Sequence, residues 1–192
     1  LGVSGVPLIC RLRFPDAPFR DDFGQSLWHY AAVYNLPKVC SVLAEKDPAG
    51  AFAERTDTKA QPLHFASALG HLGVVRALLD IAKAQGNEAV LAAKNSAGNT
   101  ALHLAASSGR TLTADLLIAA GADANAVNEQ GLTPLDLACK NSRTAVAAAL
   151  IAAGARVGTK SEDGVEALMR IKLGVLPDVP LGEATDVDES GI

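Results

Sequence analysis

The feature that most constrains the fold of this chain is an internal repeat of 33 residues. The segment GNTALHLAASSG at 98–109 aligns with GLTPLDLACKNS at 131–142, and two earlier copies begin with GQSLWHYAAVYN at 24–35 and KAQPLHFASALG at 59–70. Repeats of this length are typical of solenoid proteins, because each unit can bury its apolar face only when a neighbouring unit covers it.

Each unit is predicted to contain two short helices. In the third copy, the residues of the first helix that share one face follow the i, i+3, i+4, i+7 spacing: Leu102, Ala105, Ala106 and Gly109. Gly109 can end this helix in a left-handed conformation, and a second helix over ADLLIAAG is predicted to end at Gly121. The turn-forming segments NSAGN, NEQG and SEDG separate the units.

The residue types at these positions resemble the ankyrin repeat, whose pattern runs G-x-T-P-L-H-x-A-A, then V-V-x-x-L-L, then G-A-D-x-N-A. The best matches are QPLHFASALGHLGVVRALL at 61–79, GNTALHLAASSG at 98–109 and LLIAAGADANA at 116–126. The resemblance implies an all-α solenoid of about four repeats plus a truncated fifth. It also implies β-hairpin fingers that project at one edge and short inner helices that line a concave face.

The repeats divide the chain into three parts. Residues 1–20 contain three prolines and no copy of the repeat, and they are predicted to cap the first unit. The acidic, Pro/Gly-rich residues 171–192 are predicted to form a tail at the other end of the solenoid. Between these capping segments, the units are predicted at about 21–55, 56–94, 95–127 and 128–160, with a partial fifth at 161–170.

Two units are longer than the others. The first unit has about two extra residues, in EKDPAGAFAERTDT, and the second has about six, in DIAKAQGNEAVLAAK. For the second unit we predict a second helix longer by one turn, then a turn at Gly86–Asn87, then a short helical segment at Val90–Ala93. Insertions on one face of a solenoid are either binding loops or tolerated drift.

A histidine stands in the apolar part of the first helix in three units, as His29, His64 and His103, and Asp136 replaces it in the fourth. The resemblance implies that this residue binds backbone and Thr hydroxyl groups within and between units, as a buried ring nitrogen requires. His71, in GHLG, matches the start of the second helix and is also predicted to be structural. Side chains separated by a repeat period form a row, so they cannot converge on one metal ion.

Composition and motifs exclude several function classes. The net charge of −4 and the lack of any Lys/Arg block argue against nucleic acid as a partner, and no apolar run reaches the ~18 residues of a membrane span. There is no G-x-S-x-G, Walker loop, dinucleotide fingerprint or H-E-x-x-H motif. Lys140 could lower the thiol pKa of its neighbour Cys139, but burial opposes this. We therefore expect no enzyme activity, no cofactor and no metal.

The three cysteines, Cys10, Cys40 and Cys139, are predicted to be free thiols that pack as small core residues. A Cys10–Cys40 bridge is the alternative in an oxidising compartment. The chain begins at Leu1 and its one methionine is Met169, so we interpret it as a trimmed or processed product. A cytoplasmic location is expected, or a periplasmic or secreted one if a signal peptide was removed before Leu1.

A protein-binding module is the function that this sequence favours, with the chain as a monomer or in a heterodimer with its partner. The alternative is a self-contained inhibitor or immunity-type protein that occludes the active-site cleft of a partner enzyme. In the family, the contact positions are the finger tips and the exposed inner-helix residues, which correspond here to Asp22, Phe23, Gln25, Val33, Tyr34, Asp57, Thr58, Leu69, Asn99, Ser108, Gln130, Lys140 and Asn141.

These candidate positions differ in character between the two halves of the chain. Phe23, Val33, Tyr34 and Leu69 make the first two units apolar, whereas the last two units carry small polar residues. We interpret the apolar half as an anchor for a partner. The alternative is that residues 1–20 cover Phe23 and Tyr34 as a cap. Trp28 stands at the Leu position of the motif and is predicted to be a core residue.

Overall fold

The computed structural model of the chain describes residues 20–156, so the predicted N-terminal cap, partial fifth unit and acidic tail lie outside it. The described part consists of paired helices joined by turns. An inner and an outer helix form each pair: α1 Leu27–Val33 with α2 Pro37–Lys46, α3 Pro62–Leu69 with α4 Leu72–Ala84, α6 Ala101–Ser107 with α7 Thr111–Ala119, and α8 Pro134–Lys140 with α9 Thr144–Ala152. The predicted all-α repeat architecture is thereby confirmed for residues 20–156.

The connections between pairs are turns. No β-strand occurs between residues 20 and 156, which corrects the expectation of β-hairpin fingers. The third and fourth fingers are each closed by two backbone hydrogen bonds. In the third, the Asn95 N–H donates to the Asn99 carbonyl at 3.0 Å and the Gly98 N–H donates to the Asn95 carbonyl at 2.8 Å. In the fourth, the Asn128 N–H donates to the Leu132 carbonyl and the Gly131 N–H to the Asn128 carbonyl, both at 3.0 Å. These bonds make a tight turn, and no ladder of paired residues continues from it.

The inner helices start and stop for the same local reasons in each unit. Proline occupies the first turn of α3 and α8, where its missing N–H costs nothing. Each inner helix is followed by a residue with positive φ: Asn35, Gly70, Gly109 and Ser142. The left-handed residue reverses the chain so that the outer helix can run back along the inner one.

The core is one continuous cluster that runs through all four pairs. Inner helices α1, α3, α6 and α8 pack on one another in chain order, and the outer helices form a second layer. Ala66, Ala105 and Ala138 are fully buried, so the inner helices can approach closely. Trp28 is also fully buried, and its indole N–H donates to the Asp47 carbonyl at 2.8 Å, which confirms its assignment to the core.

The two length insertions lie in the connections that lead from an outer helix to the next finger. Helix α4 has 13 residues against nine in α7. Gly86 follows with φ +63°, and then a short helix, α5, spans Ala89–Ala92. This order of elements is the one predicted from the sequence. In the first unit, a 3-10 helix at Pro48–Phe52 takes up the extra length.

None of the helices between residues 20 and 156 is both long and apolar enough to cross a membrane. Cys40 and Cys139 are buried free thiols, as predicted, whereas Cys10 lies outside the described residues. The Cys10–Cys40 bridge stays an alternative, because Cys10 lies outside the described residues.

Candidate protein-interaction surface

The buried histidines hold neighbouring units together. The Nδ1 of His103 accepts from the Thr100 N–H at 3.2 Å and lies 2.9 Å from the Thr100 hydroxyl. Its Nε2 lies 3.1 Å from the carbonyl of Leu132, in the next unit. An N–H partner on one nitrogen and a carbonyl on the other require the neutral ring with its proton on Nε2. The ring therefore caps its own helix and bonds to the following unit.

The same arrangement recurs at the other two positions. The Nε2 of His29 lies 3.0 Å from the Ala60 carbonyl, and the Nε2 of His64 lies 3.1 Å from the Asn99 carbonyl. Burial lowers the pKa of all three rings, which keeps them neutral. Their predicted structural role is confirmed.

The fourth unit caps its inner helix with different atoms. The Asp136 carboxylate accepts from the Thr133 N–H at 2.7 Å and from its hydroxyl at 2.8 Å. The Thr133 hydroxyl also lies 3.2 Å from the Arg156 carbonyl. His71, as predicted, is structural too, because its Nδ1 bonds to the Ala32 carbonyl of the preceding unit at 2.8 Å.

Between residues 20 and 156 there is no cluster of three His, Cys, Asp or Glu side chains that could hold a metal ion. Burial, with the charge of Asp136 as a smaller cause, raises the pKa of the Cys139 thiol to about 11. Lys140 does not offset the effect of burial, so this thiol remains protonated at neutral pH.

The finger turns are built on one recurring side-chain contact. The Oδ1 atoms of Asp21, Asn95 and Asn128 each accept two backbone N–H groups from inside the turn, at 2.7–3.0 Å. The second finger has Arg55 at this closing position, and a guanidinium cannot accept the pair of bonds. Its turn is wider, closed from the Arg55 N–H to the Ala60 carbonyl at 3.1 Å.

Neighbouring fingers are joined through their backbones. The tip carbonyls of Phe23, Thr58 and Ala97 each accept from a backbone N–H of the next finger, at 3.1, 2.7 and 3.3 Å. The tips therefore have a fixed separation, while the side chains at those positions take no part in the link.

An aromatic cluster covers the first two fingers. The guanidinium carbon of Arg55 lies 5.9 Å from the ring centre of Phe23 and 5.7 Å from that of Phe65, within cation–π range. Asp57 binds the same guanidinium through both carboxylate oxygens, at 2.6 and 2.9 Å. Phe23 nevertheless remains 57% exposed.

A second aromatic pair lies on α1. The rings of Tyr30 and Tyr34 stack at 6.4 Å, and Tyr34 is 59% exposed. The Tyr30 hydroxyl donates to Asp21 at 2.9 Å. Burial disfavours ionisation of Asp21, but the hydrogen bonds from the Gln25 N–H and the Tyr30 hydroxyl outweigh it and lower the pKa of the carboxyl.

The structure places the thirteen predicted contact residues at finger turns and inner-helix ends, and none of them is buried. Eight are exposed: Asp22, Phe23, Tyr34, Asp57, Leu69, Gln130, Lys140 and Asn141. Five are half-buried: Gln25, Val33, Thr58, Asn99 and Ser108. The amide of Gln25 bonds to Asp21, and that of Asn99 to Asn128, so these two side chains stabilise the fingers.

Sequence reasoning missed three residues of the aromatic clusters, namely Tyr30, Arg55 and Phe65. Tyr30 and Phe65 directly follow the motif histidine, and this shared position was the available indication. Arg55 gave none, because its partners lie on two different units.

Comparison with known proteins agrees with this architecture. The family model described as "Ankyrin repeats (3 copies)" matches residues 4–89 and 85–161. Over 109 residues, or 56% of the chain, the sequence is 35% identical to NF-kappa-B inhibitor alpha of Sus scrofa, 34% to that of Mus musculus and 33% to that of Homo sapiens. The matched region spans about a third of the length of these curated relatives, 33–34%.

Proposed function

Because the chain belongs to the ankyrin-repeat family, we propose that it is a non-catalytic protein-interaction module that binds a protein partner through its finger turns and its inner-helix surface. The observation that carries this proposal is the exposed apolar surface of the first two units, formed by Phe23, Tyr34 and Leu69. Exposed aromatic residues of this kind are typical anchors of protein interfaces.

The rigidity of the framework supports the same function. The backbone bonds between fingers and the histidine bonds between units fix the positions of the exposed side chains before a partner arrives. Arg55 is likewise held by Asp57 and by two aromatic rings. A preorganised surface loses little conformational entropy on binding, so more of the contact energy becomes affinity.

The alternative is an inhibitor that occludes the active-site cleft of a partner enzyme. The printed name of the relatives, NF-kappa-B inhibitor alpha, supports the inhibitory part of this alternative. Both functions would use the same finger turns, and the identity of the partner separates them. We further propose a monomer that forms a heterodimer with this partner in the cytoplasm, where the free thiol state of Cys40 is usual. The periplasmic or secreted location remains the alternative.

The test is capture of the partner from a lysate of the source organism, followed by titration of the purified pair. The bait is compared with the Phe23→Ala, Tyr34→Ala double variant, and with Val42→Ala, which removes an exposed apolar side chain from α2. Loss of two anchors is expected to weaken binding at least about 30-fold, while Val42→Ala leaves it unchanged. Equal affinity of all three baits would show that Phe23 and Tyr34 are not anchors.

A further inference from the structure

The loop edge of the solenoid, defined as residues 33–38, 68–73, 107–112 and 140–145, has an unusual charge distribution. At this edge the inner helices end and the outer helices begin. It contains no Asp or Glu but has four formally cationic side chains, Lys38, Arg110, Lys140 and Arg143. The edge is therefore positive, although the whole chain has a net charge of −4.

Two of these cations occupy equivalent positions in neighbouring units and are held in the same way. The Nε–H of Arg110 donates to the Ala68 carbonyl at 3.2 Å, and that of Arg143 donates to the Ser107 carbonyl at 3.4 Å. Each side chain lies over a glycine of the preceding unit, so closely that an added Cβ would be 2.8 Å from the arginine Cδ.

Each arginine keeps most of its hydrogen-bonding capacity. A guanidinium has five N–H groups, and one is used here. The other four N–H groups of each arginine, on Nη1 and Nη2, make no hydrogen bond to any residue between 20 and 156. Two oriented guanidinium groups, roughly 10 Å apart at the spacing of packed helices, are suited to bind two carboxylates.

An apolar depression adjoins the first of these arginines. A cavity of 290 Å³ lies between the second and third units, lined by Gly70, Leu72, Arg110, Thr111, Leu112 and Thr113. Leu112 is 68% exposed, and Leu69, which precedes the lining glycine, is 41% exposed. The loop edge thus offers an apolar contact directly beside a cation.

We infer that the loop edge binds an extended acidic segment of the protein partner, with an apolar side chain in the depression and two carboxylates on Arg110 and Arg143. An extended chain advances about 3.3 Å per residue, so carboxylates three residues apart match a spacing of roughly 10 Å. The apolar depression beside the arginines favours a peptide that combines an apolar side chain with carboxylates. This inference rests on the proposed function and specifies the chemistry of the partner.

The experiment is an NMR titration of the ¹⁵N-labelled full chain with the capped peptide LSSESSE and with its Gln-substituted counterpart LSSQSSQ. We expect saturable shifts at Gly70, Arg110, Leu112 and Arg143 with the Glu peptide, and at least tenfold weaker binding of the Gln peptide. The Arg110→Gln, Arg143→Gln variant should lose at least tenfold in affinity. Its matched control is Arg76→Gln, Lys83→Gln, which removes the same charge from exposed positions on α4 and should bind normally.

Four results would overturn the inference. Equal weakening by both double variants would show a general effect of charge. Tighter binding of a 12-nucleotide single-stranded oligonucleotide at the same residues would assign the edge to nucleic acid. Peptide binding that is seen only with the Asp186→Asn, Asp188→Asn, Glu189→Gln variant would show that the chain's own acidic segment is the ligand of the edge. If the captured partner is retained by the Arg110→Gln, Arg143→Gln variant with unchanged affinity, this inference fails and the proposed function stands.

Discussion

Gly98→Ala measures how strongly the finger turns depend on close contact between units. Gly98 has φ +73°, and an added Cβ would lie 2.6 Å from the backbone nitrogen of Glu129. That nitrogen donates the 3.3 Å hydrogen bond to the Ala97 carbonyl that joins the third and fourth fingers. Because a backbone atom cannot rotate away as a side chain would, the fingers must separate to admit the methyl group.

The magnitude can be worked out against a glycine that lacks this neighbour. Gly86 has φ +63° but nothing within 4 Å of its added Cβ, so Gly86→Ala carries the left-handed penalty of about 1–2 kcal/mol, reduced by about 0.5 kcal/mol of unfolded-state entropy. Gly98→Ala adds loss of the finger bond, about 1 kcal/mol. We expect destabilisation of about 1 kcal/mol for Gly86→Ala and about 2 kcal/mol for Gly98→Ala.

The assay is urea unfolding followed by circular dichroism at 222 nm for the unmodified chain, Gly86→Ala and Gly98→Ala. The m value must be the same for all three, so that a change in midpoint reports a change in stability. Lys59 shows that the left-handed conformation alone is tolerated, because this non-glycine residue occupies the equivalent finger position with φ +50°. If Gly98→Ala costs no more than Gly86→Ala, the contact between fingers contributes nothing to stability, and the reasoning that the finger tips are fixed in position is refuted.

Two further predictions concern the buried titratable groups. Burial lowers the pKa of the three motif histidines, so below pH ~6.5 the unfolded chain binds protons that the folded chain does not. As the pH decreases below this value, the free energy of unfolding should fall by up to about 1.4 kcal/mol per pH unit for each ring. A free energy of unfolding that stays constant between pH 7.5 and 5.5 would contradict this prediction. Burial raises the pKa of Cys40 and Cys139 to about 11, so at pH 8 roughly one such thiol in a thousand is ionised. In a Cys10→Ser variant, both should react with Ellman's reagent only in urea, and rapid labelling of the folded variant would refute their burial.

The parts of this structure that follow from the sequence are those the chain repeats. The helix pairs, the structural histidines, the buried Trp28 and the lengthened α4 were predictable, because each depends on local periodicity or on a position that recurs in every unit. The strands expected in the fingers do not form between residues 20 and 156, since the Asx-type contact of Asn95 or Asn128 closes the turn within five residues.

Apart from the histidine bonds, the side-chain contacts between units were not predictable. The position of Arg55 between Phe23 and Phe65 depends on how far one unit is displaced and rotated from the next, which no single-unit pattern contains. The same holds for Arg110, which lies over Gly70. The recurrence of arginine after 33 residues, at Arg143, was visible, but its meaning required the three-dimensional stacking.

The way in which the units are joined explains why one face of such a repeat can be specialised without loss of the fold. The finger tips are linked through the carbonyls of Phe23, Thr58 and Ala97, so the framework uses the backbone at a position where the side chains differ. A substitution there changes the surface and leaves the link between units in place. The same separation holds at the loop edge, where Arg110 uses one N–H for the framework and keeps four for a ligand. Two surfaces of different chemistry, aromatic on the fingers and cationic on the loop edge, can therefore be adjusted independently, and a partner that contacts both must match an apolar anchor and an acidic segment at once.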